Sequence, residues 1–571
     1  MVISTDPHDR RRFVPLHVGP SILPLCSLFN RMVRFAHRPH LTAVKDIRFG
    51  FTASYAQILT DVLHLRNHLR ETLSPEILTR LEKDEKVFIN LLGPGGYEYT
   101  VGFLAIFALG AVVVPISPDL PVKEAGSLVQ RCQADGMLSS EVSVPKAMEL
   151  ASLVRTTKKP GYTLTKIRQH IMNHPLEPSK ILISADHVLN SLVIFTSGTT
   201  GPPKGAVRRR SFLWETSLMT VDQYGLSEGA IVLHTLPVHH ITGISTQIPF
   251  LLVGGCIESR SGGFSTEWTW ERIRQGGLAY FSGVPTMYMR LMQYYETTLA
   301  KLPTELHDEY VSGIREFKAL LCGTSALPRP LQQKWTKLRG GRSILTRYGG
   351  TEFGAGFQVP IYARGVPDGS VGVITPGVDL KLSHGDEGEI LMKSPLLFSK
   401  YLFDPDATAK VHDADGYFKT GDIARREGDY YFIMGRASVD IIKSGGYKLS
   451  ALDIEREILG LGYVSEVMVV GVDDEEFGQR LAAAIVLDPA SIQVNEGRVT
   501  GEQSLTLREL RGDLRTTLAG YKMPTVLRVV KEIPKSATGK VQKKNLSPKM
   551  FPAGGHPEVE VWKTTSRSAK L

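Results

Sequence analysis

The sequence predicts an α/β protein: a long N-terminal region of alternating strands and helices, followed by a small α+β domain. Three observations predict it. From Val87 the segments KVFINLL, GPGGYEY, TVGFLAIFALGA and VVVPI read as strand, turn, helix and strand, a βαβ unit. After Gly365 the texture changes to short alternating segments with tight turns at HGDEGE and EGD, the pattern of antiparallel strands. Beyond a break at Gly435-Arg436, EVMVVGV, RLAAAIVL and VLRVVKEIP alternate with helical LDIEREILG and SLTLRELRGDLRTTL, which reads as a separate domain. The divisions are residues 1–435, 436–552 and a flexible tail, 553–571.

Between the first unit and Gly365 the alternation continues through SLVIF, AIVLHTLPV, LAYFSGVP and FKALLCG, and buried parallel strands feeding helices explain it economically. The longest apolar run, Val101 to Ile116, is 16 residues long and broken by Gly110. A spanning helix needs roughly 20, so the run reads as a buried helix entering a buried strand, and no transmembrane segment is expected.

Composition narrows the function. In 571 residues, 42% are hydrophobic and 22% charged, with no low-complexity tract or internal repeat, as in a folded multi-domain protein. The net charge of +9, Lys+Arg 67 against Asp+Glu 58, would suit several kinds of anion. The basic residues are scattered except at Arg10 to Arg12, Arg208 to Arg210 and 535–544, without the aromatic interleaving that single-stranded nucleic acid requires. These runs read as solvated faces, and nucleic acid is not an expected partner. Cys26, Cys132, Cys256 and Cys322 lie far apart with no CxxC pair, which points to a reducing compartment, with Cys322 a small buried hydrophobe.

The chain ends carry targeting cues. Arg10, Arg11, Arg12, Arg31, Arg34 and Arg38 have the flavour of a transit peptide that Asp6 and Asp9 spoil. The polar tail from Gly554 ends Ser568-Ala569-Lys570-Leu571, close to the peroxisomal SKL signal, so a peroxisomal import receptor is an expected partner. The mitochondrial matrix and the cytoplasm are the alternative compartments.

The stretch FTSGTTGPPKGAV, Phe195 to Val207, follows a strand and carries Thr196, Ser197, Gly198, Thr199, Thr200, Gly201 and Lys204. Glycines let backbone N–H groups approach phosphate oxygens, hydroxyls add donors, Lys204 adds charge, and Pro202 and Pro203 oppose helix. It is not the GxxxxGK[ST] loop of kinases and GTPases, since the candidate Gly539-Lys540 is followed by Val541.

Four further segments occur in order: RYGGTEFG (347–354), YFKTGDIARREGDYYFIMGR (417–436), IIKSGGYKLSALDIE (441–455) and PKSATGK (534–540). Together with FTSGTTGPPKG they resemble the adenylate-forming acyl-CoA synthetases, over about residues 55–546. Within that superfamily GVPTMYMRLMQYY, CGTSALP, RASVDIIKSGGYKLSALDIE and GVDDEEFGQR are most similar to the malonyl-CoA synthetase branch, the acyl-CoA synthetase family member 3 type. The resemblance implies a large N-terminal domain of two α/β subdomains plus a small β-barrel, a small mobile C-terminal domain, and ATP, Mg²⁺ and coenzyme A as cofactors. Its partners are these and a small-molecule carboxylic acid.

By the same resemblance, 196–204 holds the β and γ phosphates, Thr351 the α-phosphate and Glu352 the magnesium, while Gly323, Thr324 and Tyr348 border adenine. Asp422 and Arg436 contact the ribose. Lys540 bridges the substrate carboxylate and α-phosphate as charge builds in the transition state. The small domain then turns about Ser438, and the loop with Lys443, Gly445, Gly446 and Tyr447 replaces Lys540 and lines the pantetheine path.

For the acid, the resemblance brings His239, His240, Thr242, Gly243, Met287, Tyr288, Arg290, Arg347 and Gly350 to the pocket. Arg290 is placed as the fork for a distal carboxylate. The chain departs from the branch at Thr242, usually His, and at Gly350, usually Met, which predicts a larger pocket and admits malonate, methylmalonate or a bulkier acid of specialised metabolism. Two other readings stay open: loading of an acyl group onto a carrier protein's phosphopantetheine, and a nucleotide-binding relic without catalysis.

Overall fold

The computed structural model describes residues 19–83, 85–157, 161–184, 190–196, 202–260, 264–324, 327–488, 505–535 and 541–562. Two large sheets organise the N-terminal region. The first runs Lys400–Tyr401, Lys204–Arg209, Asn190–Thr196, Val112–Ile116, Phe88–Leu92, Gly136–Ser139 and Thr163–Lys166, with the last five parallel. Phe88–Leu92 and Val112–Ile116 are buried at every position, as parallel strands covered on both faces must be. The helix between them, Tyr97–Leu109, is also buried throughout, and Gly110 at φ 87° ends it in the left-handed cap that a side chain resists. The expected helix-to-strand passage is therefore present.

The second sheet runs Val373–Ile374, Gly354–Gln358, Leu345–Gly350, Ala319–Cys322, Tyr280–Gly283, Ile231–His234, Cys256–Ser259, Thr42–Asp46 and Phe51–Ser54. Its six middle strands are parallel and its edges fold back antiparallel. The segments after Gly365 form an antiparallel sheet of Asp379–Leu382, Glu387–Lys393, Phe418–Glu427 and Tyr430–Arg436. It meets the second sheet at the Gly372–Tyr431 bridge, where Phe357 stacks on Tyr431 at 4.3 Å, so the small β element is two sheets around a shared aromatic core. All four cysteines are buried, Cys322 among them.

The small domain is a sheet of Tyr447–Ser450, Ile441–Ser444, Gly478–Leu487, Val526–Val529 and Val559–Val561, with Val464–Asp474 paired along Gly478–Leu487. Ile454, Ile458, Leu507 and Leu510 pack on one face, and Leu546 and Phe551 on the other.

The division at residue 552 needs correction. Val559–Val561 pairs antiparallel with Val526–Val529, the Trp562 N–H donates to the Thr525 carbonyl at 2.8 Å, and the Arg511 guanidinium lies 4.4 Å from the Trp562 ring centroid. The small domain thus extends through Trp562. An edge strand needs only one apolar face, and Val559 and Val561 alternating with Glu558 and Glu560 look merely polar in sequence. Ending the chain at Ala553 should cost the small domain about 2 kcal/mol, the burial of one large apolar side chain, and lower its melting temperature, whereas ending it at Trp562 should leave the melt unchanged. Superimposable melts for the two truncations would refute the strand's contribution.

Candidate active site

The parallel strands deliver their C-terminal ends to one place. The loops after Ile231–His234, Tyr280–Gly283, Ala319–Cys322 and Leu345–Gly350, with the ends of the 196–204 hairpin, line a cleft of about 2990 Å³. Open α/β sheets bind ligands outside their strands' carboxyl ends. The volume exceeds the roughly 300–1,000 Å³ of a site for one small ligand. Residues of the antiparallel sheet and of the small domain complete its walls.

One corner is built from strand pairing. Asp422 and Arg436 are direct partners across Phe418–Glu427 and Tyr430–Arg436, and Arg436 Nε donates to Asp422 Oδ1 at 3.0 Å. The Tyr348 hydroxyl donates to Asp422 Oδ2 at 2.7 Å. Burial, and then the Asp422 charge, push the Tyr348 phenol well above its ordinary pKa, so it stays a donor. Sequence reasoning put Tyr348 beside adenine and missed this bond. Each carboxylate oxygen retains acceptor capacity for a further hydroxyl. Gly421 at φ 75° makes the turn into Asp422, and Thr324 lines the cleft wall, whereas its neighbour Gly323 does not. Thr324 holds φ 75°, a conformation that β-branched residues avoid and that clusters at functional sites.

On the phosphate side, Thr196 and Lys204 pair across the hairpin, and Thr196 Oγ1 donates to the Lys204 carbonyl at 3.3 Å. Ser197, Gly198, Thr199, Thr200 and Gly201 lie outside the described residues. The Lys204 ammonium stands 5.1 Å from the Tyr401 ring centroid, and the Tyr401 hydroxyl donates to Glu352 Oε1 at 3.0 Å. Burial and the Glu352 charge raise the Tyr401 pKa, so this donor is also fixed. Thr351 and Glu352 line the cleft between the two sheets. Arg208, read from sequence within a solvated basic run, is instead fully buried beneath them. Its strand is covered on both faces, with 205–208 all buried, and only at the register shift after Arg208 does Arg209 become exposed.

On the acyl side, His239, His240 and Thr242 line the cleft, with the two imidazole rings 4.4 Å apart at the start of the helix Ile241–Leu252. Burial and the neighbouring His240 depress His239 to about 3, so it is neutral near pH 7. His234, also on the wall, is lowered to about 4 by burial and hydrogen-bonds to the Gly243 carbonyl at 3.0 Å. Gly243 cannot grow: a Cβ would lie 2.2 Å from the Pro237 carbonyl oxygen. The enlargement expected at Gly350 needs correction, because a Cβ there would lie 2.4 Å from the Phe353 ring, which fills that space.

Arg290 is a second correction. On the helix Pro285–Thr297 the buried face is Pro285, Met287, Tyr288, Leu291 and Met292, which leaves Arg290 exposed and off the cleft wall. Met287 lines the cleft, while Tyr288 is wholly buried and donates to the Leu321 carbonyl at 2.9 Å. Arg347 does line the cleft, and its Nη2 donates to Ser282 Oγ at 2.8 Å.

Lys540 lies outside the described residues, but Lys535 and Val541 on either side form an antiparallel bridge and line the cleft. Of the lysines around it, Lys535 and Lys544 are exposed, while Lys543 is drawn out of the solvated face. Lys535 pairs with Glu466 at 2.5 Å, and Lys543 sits between Asp440 at 2.6 Å and Glu455 at 2.7 Å. Burial alone would depress the Lys543 ammonium, yet the two carboxylates outweigh it and hold its pKa above the ordinary value. Asp440 Oδ2 also accepts from the Arg436 backbone N–H at 3.0 Å, closing the turn around Ser438, which faces the cleft. This triad was missed in sequence. Lys443, Gly445 and Gly446 are not on the cleft wall; their hairpin is exposed, with Tyr447 stacked on Tyr521 at 4.5 Å. The terminal Ala569-Lys570-Leu571 lies outside the described residues.

Comparison with known proteins agrees with this geometry. Residues 32–402 match the AMP-binding enzyme family, and residues 453–540 match the AMP-binding enzyme C-terminal domain. A CoA ligase from Gibberella moniliformis is 30% identical, covering 90% of this chain and 93% of its own. Malonate–CoA ligases from Arabidopsis thaliana and, as a mitochondrial protein, from Bos taurus are each 32% identical, covering 80% and 82% of this chain and 77% and 83% of theirs. The fold matches ATP-bound MatB from Rhodopseudomonas palustris with a TM-score of 0.75 at 23% identity, covering 92% of this chain and 99% of that one. The chain belongs to the AMP-binding enzyme family.

Proposed function

We propose that this chain is an ATP-dependent acyl-CoA synthetase. A carboxylate oxygen attacks the α-phosphorus of ATP and pyrophosphate leaves; the coenzyme A sulfur then attacks the acyl carbonyl of the acyl-adenylate, and AMP and the thiol proton leave. The observation that carries this reading is the convergence, on one cleft, of Lys204, the Thr351-Glu352 turn, the Tyr348–Asp422–Arg436 corner and the residues flanking Lys540. Relatives named as CoA ligases support it.

In this reading Asp422 and Arg436 take the ribose, Gly323 and Thr324 border adenine, and Thr196 to Lys204 and Thr351 take the phosphates. Glu352 fits magnesium, since one carboxylate beside nucleotide phosphates is the usual protein share of that ion's shell. Bound there, Mg²⁺ supplies charge neutralisation at the phosphates. Lys540 is the mobile cation of adenylation. The residues flanking it line the cleft while the Lys443–Gly446 hairpin does not, an arrangement that suits the first half-reaction. Thioester formation then needs rotation at Ser438 to bring Lys443, Gly445 and Gly446 inward.

For the acid we propose malonate, methylmalonate or a related dicarboxylate, from the names of the plant and animal relatives. With Arg290 exposed, we assign Arg347, one of the cations on the wall, to receive a distal carboxylate, alongside His240, Thr242 and the Gly350–Phe353 surface. The test is thioester formation with ATP, Mg²⁺, coenzyme A and a panel of mono- and dicarboxylic acids. Lys540→Ala should slow adenylation of every accepted acid by about 10²–10³-fold, the usual cost of one charge-stabilising group. Arg347→Ala should raise KM for dicarboxylates by about tenfold while Arg290→Ala leaves it alone, since a lost charge-assisted bond is worth roughly 1.5–3 kcal/mol. An Arg290→Ala variant that alone loses dicarboxylate selectivity would reverse the assignment.

Asp422→Asn keeps the shape of the corner but removes the charge that Arg436 pairs with. It should raise KM for ATP by about tenfold, with KM for the acid unchanged, as measured by initial rates in each substrate. Equal shifts in both constants would remove Asp422 from the nucleotide site.

A further inference from the structure

We propose that Arg208 is a positioning residue for adenylation, holding the Thr351-Glu352 turn against the phosphate-side strand from beneath the cleft floor. The inference rests on the acyl-CoA synthetase reading above. Arg208 is fully buried, and among the described residues its guanidinium donates to two main-chain carbonyls. Nη1 donates to the Thr351 carbonyl at 2.8 Å and Nη2 to the Leu396 carbonyl at 2.6 Å, while the guanidinium carbon lies 3.5 Å from the Phe212 ring centroid.

The position explains why a buried cation is tolerated there. Arg208 belongs to Lys204–Arg209, whose first residue is the candidate phosphate lysine. The same strand pairs with Lys400–Tyr401, Ser399 N–H donates to the Val207 carbonyl at 2.8 Å, and Phe398 N–H donates to the Glu352 carbonyl at 2.7 Å. The carbonyls of both Thr351 and Glu352 are therefore pinned from below, one by Arg208 and one by the 394–401 segment that Arg208 also holds. Fixing the carbonyls sets where Thr351 and Glu352 stand on the cleft wall, with the Tyr401 hydroxyl holding the Glu352 carboxylate. Neither lysine nor an apolar residue can do the same: a guanidinium serves two acceptors in a rigid fork, while an ammonium is a single point. Taking a charged group out of water is costly, and hydrogen bonds to carbonyl dipoles together with the aromatic face offset that cost.

The test uses the full chain with Arg208→Lys and Arg208→Met. Three quantities are measured: acid-dependent pyrophosphate release against Mg·ATP concentration, thioester formation from a preformed acyl-adenylate and coenzyme A, and thermal melting. Arg208→Met should lower the adenylation rate by at least about tenfold, since small misplacement of reacting groups costs up to roughly 10²-fold. It should also raise the Mg²⁺ concentration for half-maximal rate several-fold and leave the thioester step within about twofold, a split that a loss of folded protein alone does not produce. Arg208→Lys should fall between Arg208→Met and wild type in adenylation rate. Should Arg208→Met not fold, the same split in Arg208→Lys carries the test. Equal losses in both half-reactions, or adenylation within about twofold of wild type in a folded variant, would overturn the role of Arg208. A wild-type chain that releases no pyrophosphate with any acid would overturn the functional reading instead, so the two failures are distinguishable.

Discussion

Bringing a carboxylate to a triphosphate means bringing like charges together, and the construction of the cleft answers that repulsion. At 4 Å and an effective dielectric of 20 the repulsion is about 4 kcal/mol for one pair of unit charges, enough to slow an unassisted encounter roughly a thousandfold. Positive charge must be supplied, and it must be held rigidly, because reorganisation at the moment of reaction forfeits much of the benefit. Lys204 over Tyr401, Arg436 on Asp422, Arg347 on Ser282 and Arg208 under Thr351 are each held by a specific neighbour.

The fold achieves this by making two sheets end at the same place. The hairpin of the first sheet and the parallel strands of the second supply opposite walls, and the antiparallel sheet after Gly365 supplies Asp422 and Arg436 already in register. The small domain then contributes its cations from a body with its own core. Lys543 is not one of the working cations. It is buried between Asp440 and Glu455, and through Asp440 it secures the turn that contains Ser438. In the proposed reading, the parts that bind nucleotide are fixed by the N-terminal sheets, and the part that changes between half-reactions is a separately packed lobe.

Much of this was legible in sequence because backbone demands recur locally. Gly110, the tight turns at 383–386 and 428–429, and the alternation of buried strands with helices are imposed by short-range sterics and burial, and they appear where the pattern put them. The motif residues Thr351, Glu352, Tyr348, Asp422 and Arg436 also share one cleft. What failed in each case was a matter of what lies on the far side of a residue. Arg208 looks like Arg209 and Arg210 until both faces of its strand are covered; Arg290 looks like a ligand until helix phase turns it outward. Gly350 looks like a vacancy until Phe353, three residues on, fills it. Lys543 looks solvated because its two carboxylates are about 90 and 100 residues away in the chain. Trp562 and its strand hid in a polar tail because an edge strand needs only one apolar face.

The central claim is that this cleft reversibly joins a carboxylate to AMP at the expense of the bond to pyrophosphate. The most direct measurement is exchange of labelled pyrophosphate into ATP, run with magnesium and a dicarboxylic acid but without coenzyme A, so that only the first half-reaction turns over. The account predicts exchange that depends strictly on the acid. Exchange that is indifferent to every acid offered, or absent from a folded protein that binds ATP, would contradict it.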